Sequence, residues 1–251
     1  VKPPPEPGPS VDSLFAQILR VGPSAAALRP FVAALDVGET AMIGVLRRGV
    51  PVPFLEALAT TPPWTERPRV LGAVVLNPAA PRALAQRLLP ILYWHDLADV
   101  AATMRLDGGV RARAEGLLKD QLLELRLGEK ITLARIATPP VLRLLLHEKD
   151  MKILGAALDN PRLRESDLSA LLQGSEATRF LSEAIVESSR WMRSYAVRLA
   201  LVLQPRTPLA LALAQITSLV PRDLRRLVET PGLPPLIQAA AARVAREAQE
   251  G

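Results

Sequence analysis

Two histidines and no cysteine among 251 residues leave little material for metal or general-base chemistry. His147-Glu148 carries the start of a zinc-protease H-E-x-x-H helix, but Met151 stands where the second histidine is needed. His95-Asp96 sets an imidazole next to a carboxylate. Adjacent residues do not face one another on a helix, so this pair reads as structural or solvent-facing. Leu127-Gly128-Glu129-Lys130 lacks the earlier glycine and the following Ser or Thr of a phosphate-binding loop, and reads as a turn that opens a helix. No G-x-S-x-G nucleophile elbow occurs. The expectation is a protein with no catalytic residues, no metal site and no cofactor. An enzyme would instead need a deep pocket gathering carboxylates or His95 with perturbed protonation.

The remaining chemical signal is basic. Lys plus Arg number 31 against 25 Asp plus Glu, a formal charge of +6, and 26 of the 31 are arginine. They cluster at Arg47-Arg48, at Arg111 and Arg113, at Arg190, Arg193 and Arg198, and at Arg222, Arg225 and Arg226. The planar guanidinium fork suits carboxylate or phosphate. Acidic residues are interspersed, including Glu183, Glu187 and Glu229, so a merely solvated face is the competing reading. Trp191 and Tyr195, spaced i and i+4, would share a helix face beside one cluster, either as core or as an exposed recognition patch.

The elements that must position these groups are short helices. Aromatic residues make up only 4%, and 24 prolines suit helices whose first turns tolerate proline. Residues 1–10 are proline-rich and read as an extended linker. From 11 to 65, apolar sets at Leu14, Phe15 and Ile18, at Leu28, Phe31 and Val32, at Met42, Val45 and Leu46, and at Phe54, Leu55 and Leu58 predict four amphipathic helices, an N-terminal cap region. No segment has the roughly 20 apolar residues needed to cross a bilayer, and Leu209 to Val220 reads as a buried helix. No signal peptide is recognisable, and the cytoplasm is the default expectation. With Val rather than Met first, the chain reads as a fragment or a processed product.

Residues 66–251 repeat themselves. Residues 70–114 laid on 197–241, at a constant offset of 127 and without a gap, give 16 identities in 45 positions; chance in such a composition gives about four. Val70 matches Val197, Pro78 Pro205, Pro81 Pro208, Asp96 Asp223 and Leu97 Leu224. A weaker copy lies between them, with Ala156, Asn160 and Pro161 repeating Ala73, Asn77 and Pro78. The 44-residue step from Pro161 to Pro205 and the 22-residue step from Pro139 to Pro161 fit helix-pair repeats. Each unit reads the same way: a helix such as Tyr195–Leu203 stops before Pro205, Thr207 caps the next helix with Pro208 as its first residue, and Asp96 or Asp223 caps a third.

Val197-Arg198 followed by Pro205, Thr207 and Pro208 resembles the leucine-rich repeat variant pattern, within the HEAT-like group of helical repeats, and Val110-Arg111 and Asn160-Pro161 match parts of it. The resemblance spans about residues 66 to 247 and rests on short motifs. It implies an all-α, right-handed solenoid. The cysteine-ligated cluster of some such proteins is not carried over, since this chain has no cysteine. A solenoid presents an extended surface, so the expectation is a non-enzymatic scaffold or adaptor that binds another protein. Its surface residues would be Arg190, Trp191, Arg193, Tyr195, Arg222, Arg225 and Arg226. The alternative is a HEAT-like nucleic-acid binder with an arginine-rich face.

Overall fold

A computed structural model of the chain describes residues 10–250, with side chains up to residue 248. All of the expected linker except Ser10 therefore lies outside the described residues. The described residues form 18 α-helices and no strand. They fall into two compact units that divide between Glu124 and Leu125. The expected boundary at 65/66 lies inside the first unit.

The first unit holds α1 (Val11–Val21), α2 (Ala25–Ala33), α3 (Glu39–Leu46), α4 (Val52–Leu58), α5 (Pro68–Leu76), α6 (Arg82–Leu88), α7 (Trp94–Ala102) and α8 (Gly108–Gln121). The second holds α9 (Leu127–Ile136), α10 (Pro139–Leu145), α11 (Met151–Leu158), α12 (Glu165–Gln173), α13 (Arg179–Glu187), α14 (Ser189–Met192), α15 (Tyr195–Leu203), α16 (Leu209–Ile216), α17 (Pro221–Glu229) and α18 (Pro235–Glu250). Within each unit, contacts run mostly between helices close in sequence, as a repeat arrangement requires.

The 127-residue offset extends beyond the stretch where identities reveal it. Helices α4 to α8 start 127 residues before α13, α15, α16, α17 and α18 in turn. The starts of α1, α2 and α3 fall within one residue of the same offset from α10, α11 and α12. Pairings recur as well: α2 with α4 and α11 with α13, α3 with α5 and α12 with α15, α7 with α8 and α17 with α18. Apolar residues hold matched places in the cores. Val74 and Leu201, Val75 and Val202, Leu97 and Leu224, and Ala114 and Ala241 are all buried. Each such side chain contributes about 1–3 kcal/mol by leaving water.

Prolines and amides punctuate the helices. Before each of Pro78, Pro161 and Pro205 stands a buried amide, Asn77, Asn160 or Gln204, whose side-chain NH2 donates to two carbonyls at the end of an earlier helix. Asn77 reaches Leu46 O at 2.7 Å and Arg48 O at 2.8 Å; Asn160 reaches Ala134 O at 2.7 Å and Ala137 O at 3.2 Å. The amide oxygen accepts the N–H two residues on, from Ala79, Arg162 or Arg206. These bonds satisfy carbonyls that a helix end leaves without intrahelical partners. Trp64 and Trp191 act alongside: both are buried, and their indole N–H groups donate to Val32 O at 3.0 Å and Leu158 O at 2.9 Å.

The expected helix Tyr195–Leu203 is α15, capped by the Ser194 hydroxyl, which accepts from Val197 N. Two expected caps are not made. Thr207 does not cap α16; Pro208 holds the N-cap position, and the buried Thr207 hydroxyl instead pairs with Ser182 Oγ at 3.1 Å. Asp96 and Asp223 lie inside the first turns of α7 and α17, whose N-cap residues are Tyr93 and Val220. There a carboxylate still favours the positive end of the helix dipole.

Candidate functional site

The arginine-rich segment from Arg190 to Arg226 lies wholly in the second unit. Arg190 is the second residue of α14, and its guanidinium is committed to the backbone: Nη1 donates to Leu158 O and Asn160 O, and Nη2 to Leu163 O. Trp191 lies beneath it, 4% exposed, with the Arg190 guanidinium carbon 4.4 Å from its ring centroid. This pair secures the end of α11. Trp191 and Tyr195 do not share a helix face: the chain breaks between α14 and α15 at Arg193 and Ser194, so the i,i+4 spacing does not apply. Arg193 is exposed in that break.

Tyr195, half-buried at the start of α15, donates its hydroxyl to Asp223 Oδ2 at 2.5 Å and accepts from Val220 N at 3.2 Å. It thereby ties the first turn of α17 to α15. Burial raises the Tyr195 pKa above 10.0, and the hydrogen bond to Asp223 raises it further by favouring the phenol form. Beyond that tie, α17 turns Leu224 and Leu227 to the core and leaves Arg222, Arg225 and Arg226 exposed. Among the described residues no carboxylate lies within 4 Å of these three guanidiniums. Elsewhere Glu183 is taken by Arg179 at 2.9 Å, and Arg206 donates to Ala177 O.

The first unit brings together Arg47 and the His95-Asp96 pair. A cleft of about 310 Å³ runs between α3, α5 and α7. Its walls are Ile43 and Leu46 from α3 and Ala73 and Leu76 from α5. Arg47, Arg69 and Arg105 line it together with His95, Asp96 and Asp99. His95 Nδ1 lies 3.8 Å from Asp99 Oδ2, one helical turn along α7. Asp96 lies against α5, where a Cβ on Gly72 would come within 3.1 Å of its Cγ and Oδ1. Burial raises the Asp96 pKa above 3.8; charge on His95 and Arg69 opposes that shift, and Asp99 adds to it.

A carboxylate with raised pKa beside an imidazole in a cleft is part of what an enzyme reading asks for. No serine, threonine or cysteine lines the cleft, and the His95 side chain is 59% exposed. The arrangement can bind an anion through the arginines and a donor through the aspartates. Among the described residues no three His, Asp or Glu side chains group as a metal would need.

The other segments with apparent chemistry have structural partners. Leu127 to Lys130 open α9, and Lys130 Nζ pairs with Glu148 at 2.6 Å. His147 Nδ1 lies 3.2 Å from Glu176 O. No helix of the described residues is long and apolar enough to cross a membrane. No protein-family model, curated protein or solved structure matches the chain significantly.

Proposed function

We propose that this chain is a non-enzymatic protein-binding scaffold, a right-handed solenoid of HEAT-like or leucine-rich-variant repeats, which meets an acidic surface of its partner through the exposed face of α17. The observation that carries the reading is a comparison within the molecule. At the offset of 127, Arg222, Arg225 and Arg226 correspond to His95, Ala98 and Asp99 of α7. Both helices have the same length and bury Leu97 and Val100 or Leu224 and Leu227 at matched places, while exposed His95 and Asp99 stand where α17 has Arg222 and Arg226 and buried Ala98 stands where it has Arg225, so a helix of this kind forms without arginine at these places. Three desolvatable cations on one turn-and-a-half of helix, held in place by the Tyr195–Asp223 bond, suit a carboxylate-rich partner. Arg190 and Trp191 bond to the backbone at and beyond the end of α11, away from α17.

The test is affinity capture from the native cell with the wild type and with an Arg222→Glu, Arg225→Glu, Arg226→Glu variant. A protein partner lost selectively from the variant supports the reading; identical recovery overturns the placement. The same guanidinium forks would suit phosphates, which makes a nucleic-acid partner the second reading. Duplex binding that falls log-linearly and steeply with salt would favour it over the first.

A further inference from the structure

We infer that the cleft between α3, α5 and α7 is a binding site for a small organic anion that also carries a hydroxyl group. The proposal is separate from the α17 surface and concerns the other unit of the chain.

The hydroxyl half follows from the two copies of one aspartate. Asp96 and Asp223 stand at matched places in α7 and α17. In the second unit Asp223 is satisfied from within by the Tyr195 hydroxyl. In the first unit the place of Tyr195 is taken by Pro68, which has no hydroxyl, and Asp96 receives no hydrogen bond from any described residue. A second exchange opens the space. Leu199, packed in the second core, is matched by Gly72, and α7 comes closer to α5 than α17 does to α15. Asp96 therefore rests on the glycine and lines the cleft, half-buried and lacking a donor. With no donor from the protein, Asp96 is free to accept from a ligand hydroxyl in the cleft, the part that the Tyr195 hydroxyl plays for Asp223.

The anion half follows from the charge. Arg47, Arg69 and Arg105 face the same space as Asp96 and Asp99, three cationic side chains against two carboxylates. Arg105 donates Nη2 to Leu76 O, whereas Arg47 and Arg69 make no ion pair among the described residues. The apolar walls and the volume, at the small end of the range for ligand pockets, limit the occupant to a compact organic acid.

Three probes separate the two halves: 4-hydroxyphenylacetate has both groups, phenylacetate lacks the hydroxyl, and 4-methylphenol lacks the anion. Titration of the full chain, followed by calorimetry and amide NMR, should give saturable binding of 4-hydroxyphenylacetate, with shifts confined to α3, α5 and α7. The other two probes should bind about tenfold more weakly or worse. Arg69→Ala, at an exposed position, should weaken the first probe about tenfold. Asp96→Ala, which removes the acceptor, should remove its advantage over phenylacetate. The α17 triple variant should bind it as the wild type does, so this test stands or falls apart from the scaffold reading. Equal affinity for all three probes, no saturation up to about 10 mM, or indifference to both cleft substitutions would overturn the proposal.

Discussion

Asn77 and Asn160 make the same three hydrogen bonds in different units: two from the amide nitrogen to helix-end carbonyls, and one to the amide oxygen from the N–H two residues along. Both are buried, at 1% and 0% exposure, so each carbonyl they serve has little access to water instead. Asn160→Ala should therefore destabilise by about 2–3 kcal/mol, lowering Tm by about 5–10 °C. Asn160→Asp should be at least as harmful, since a carboxylate accepts and cannot donate to Ala134 O and Ala137 O. Thermal unfolding of the two variants checks this; an unchanged Tm would show that the clamp is not holding those helix ends.

Trp64→Phe and Trp191→Phe should cost similar amounts, about 2 kcal/mol each, because each removes one buried indole N–H bond while keeping most of the packing. The measurement is denaturant unfolding of both variants. A much smaller effect at one site would mean that the two tryptophans do not do equivalent work despite equivalent places.

Much of this architecture is legible in the sequence, and the illegible parts have physical causes. The duplication shows between 70–114 and 197–241 because prolines and buried leucines are hard to exchange at helix ends and in cores. Upstream of residue 66 the copies keep their helices with little identity, since any apolar residue of fitting size serves, as with Phe54 and Leu181 or Leu58 and Ile185. The clamp is hidden by the exchange of Asn77 for Gln204, which conserves the amide and loses the identity. Thr207 looked like a cap because threonine commonly is one, but Pro208 is itself preset for that place. Arg47, His95 and Asp96 stand out in the sequence, but that they line one cleft depends on how α3, α5 and α7 pack over the missing Cβ of Gly72.

Tyr195→Phe should lower stability at neutral pH by about 1–2 kcal/mol, since it strips Asp223 of a donor. Its pH dependence has a definite sign. The folded-state pKa is raised above 10.0, so the stabilisation is complete below that value and is lost as the pH climbs through the folded-state pKa. The Tm difference between wild type and variant should therefore shrink above about pH 10; a difference that grows there would contradict the bonding.

Asp96→Asn should act in the opposite sense. A raised carboxyl pKa means the folded chain holds the proton more tightly, so ionisation of Asp96 weakens the fold as pH rises above 3.8. The variant should be more stable than the wild type at pH 7, by on the order of 1 °C in Tm, because a half-exposed group is largely screened by solvent. The gain should vanish below about pH 3.8. Melting curves across pH 3 to 8 in the absence of organic acids decide it.

Grafting the residues of α7 onto α17, as Arg222→His, Arg225→Ala and Arg226→Asp, separates structure from recognition. These positions are exposed in α17, and α7 forms a helix of the same length without arginine there, over the buried pairs Leu97/Leu224 and Val100/Leu227. Surface changes of this kind stay within about 0.5 kcal/mol each, so Tm should move by no more than about 5 °C. The core-facing Leu224 and Leu227 and the Tyr195–Asp223 bond are untouched, which keeps α17 in place. If the arginine face is there for a partner, the graft should abolish capture while leaving circular dichroism and the melting curve intact. If instead the graft unfolds the second unit, the arginines belong to the fold and the scaffold reading loses the comparison that carries it.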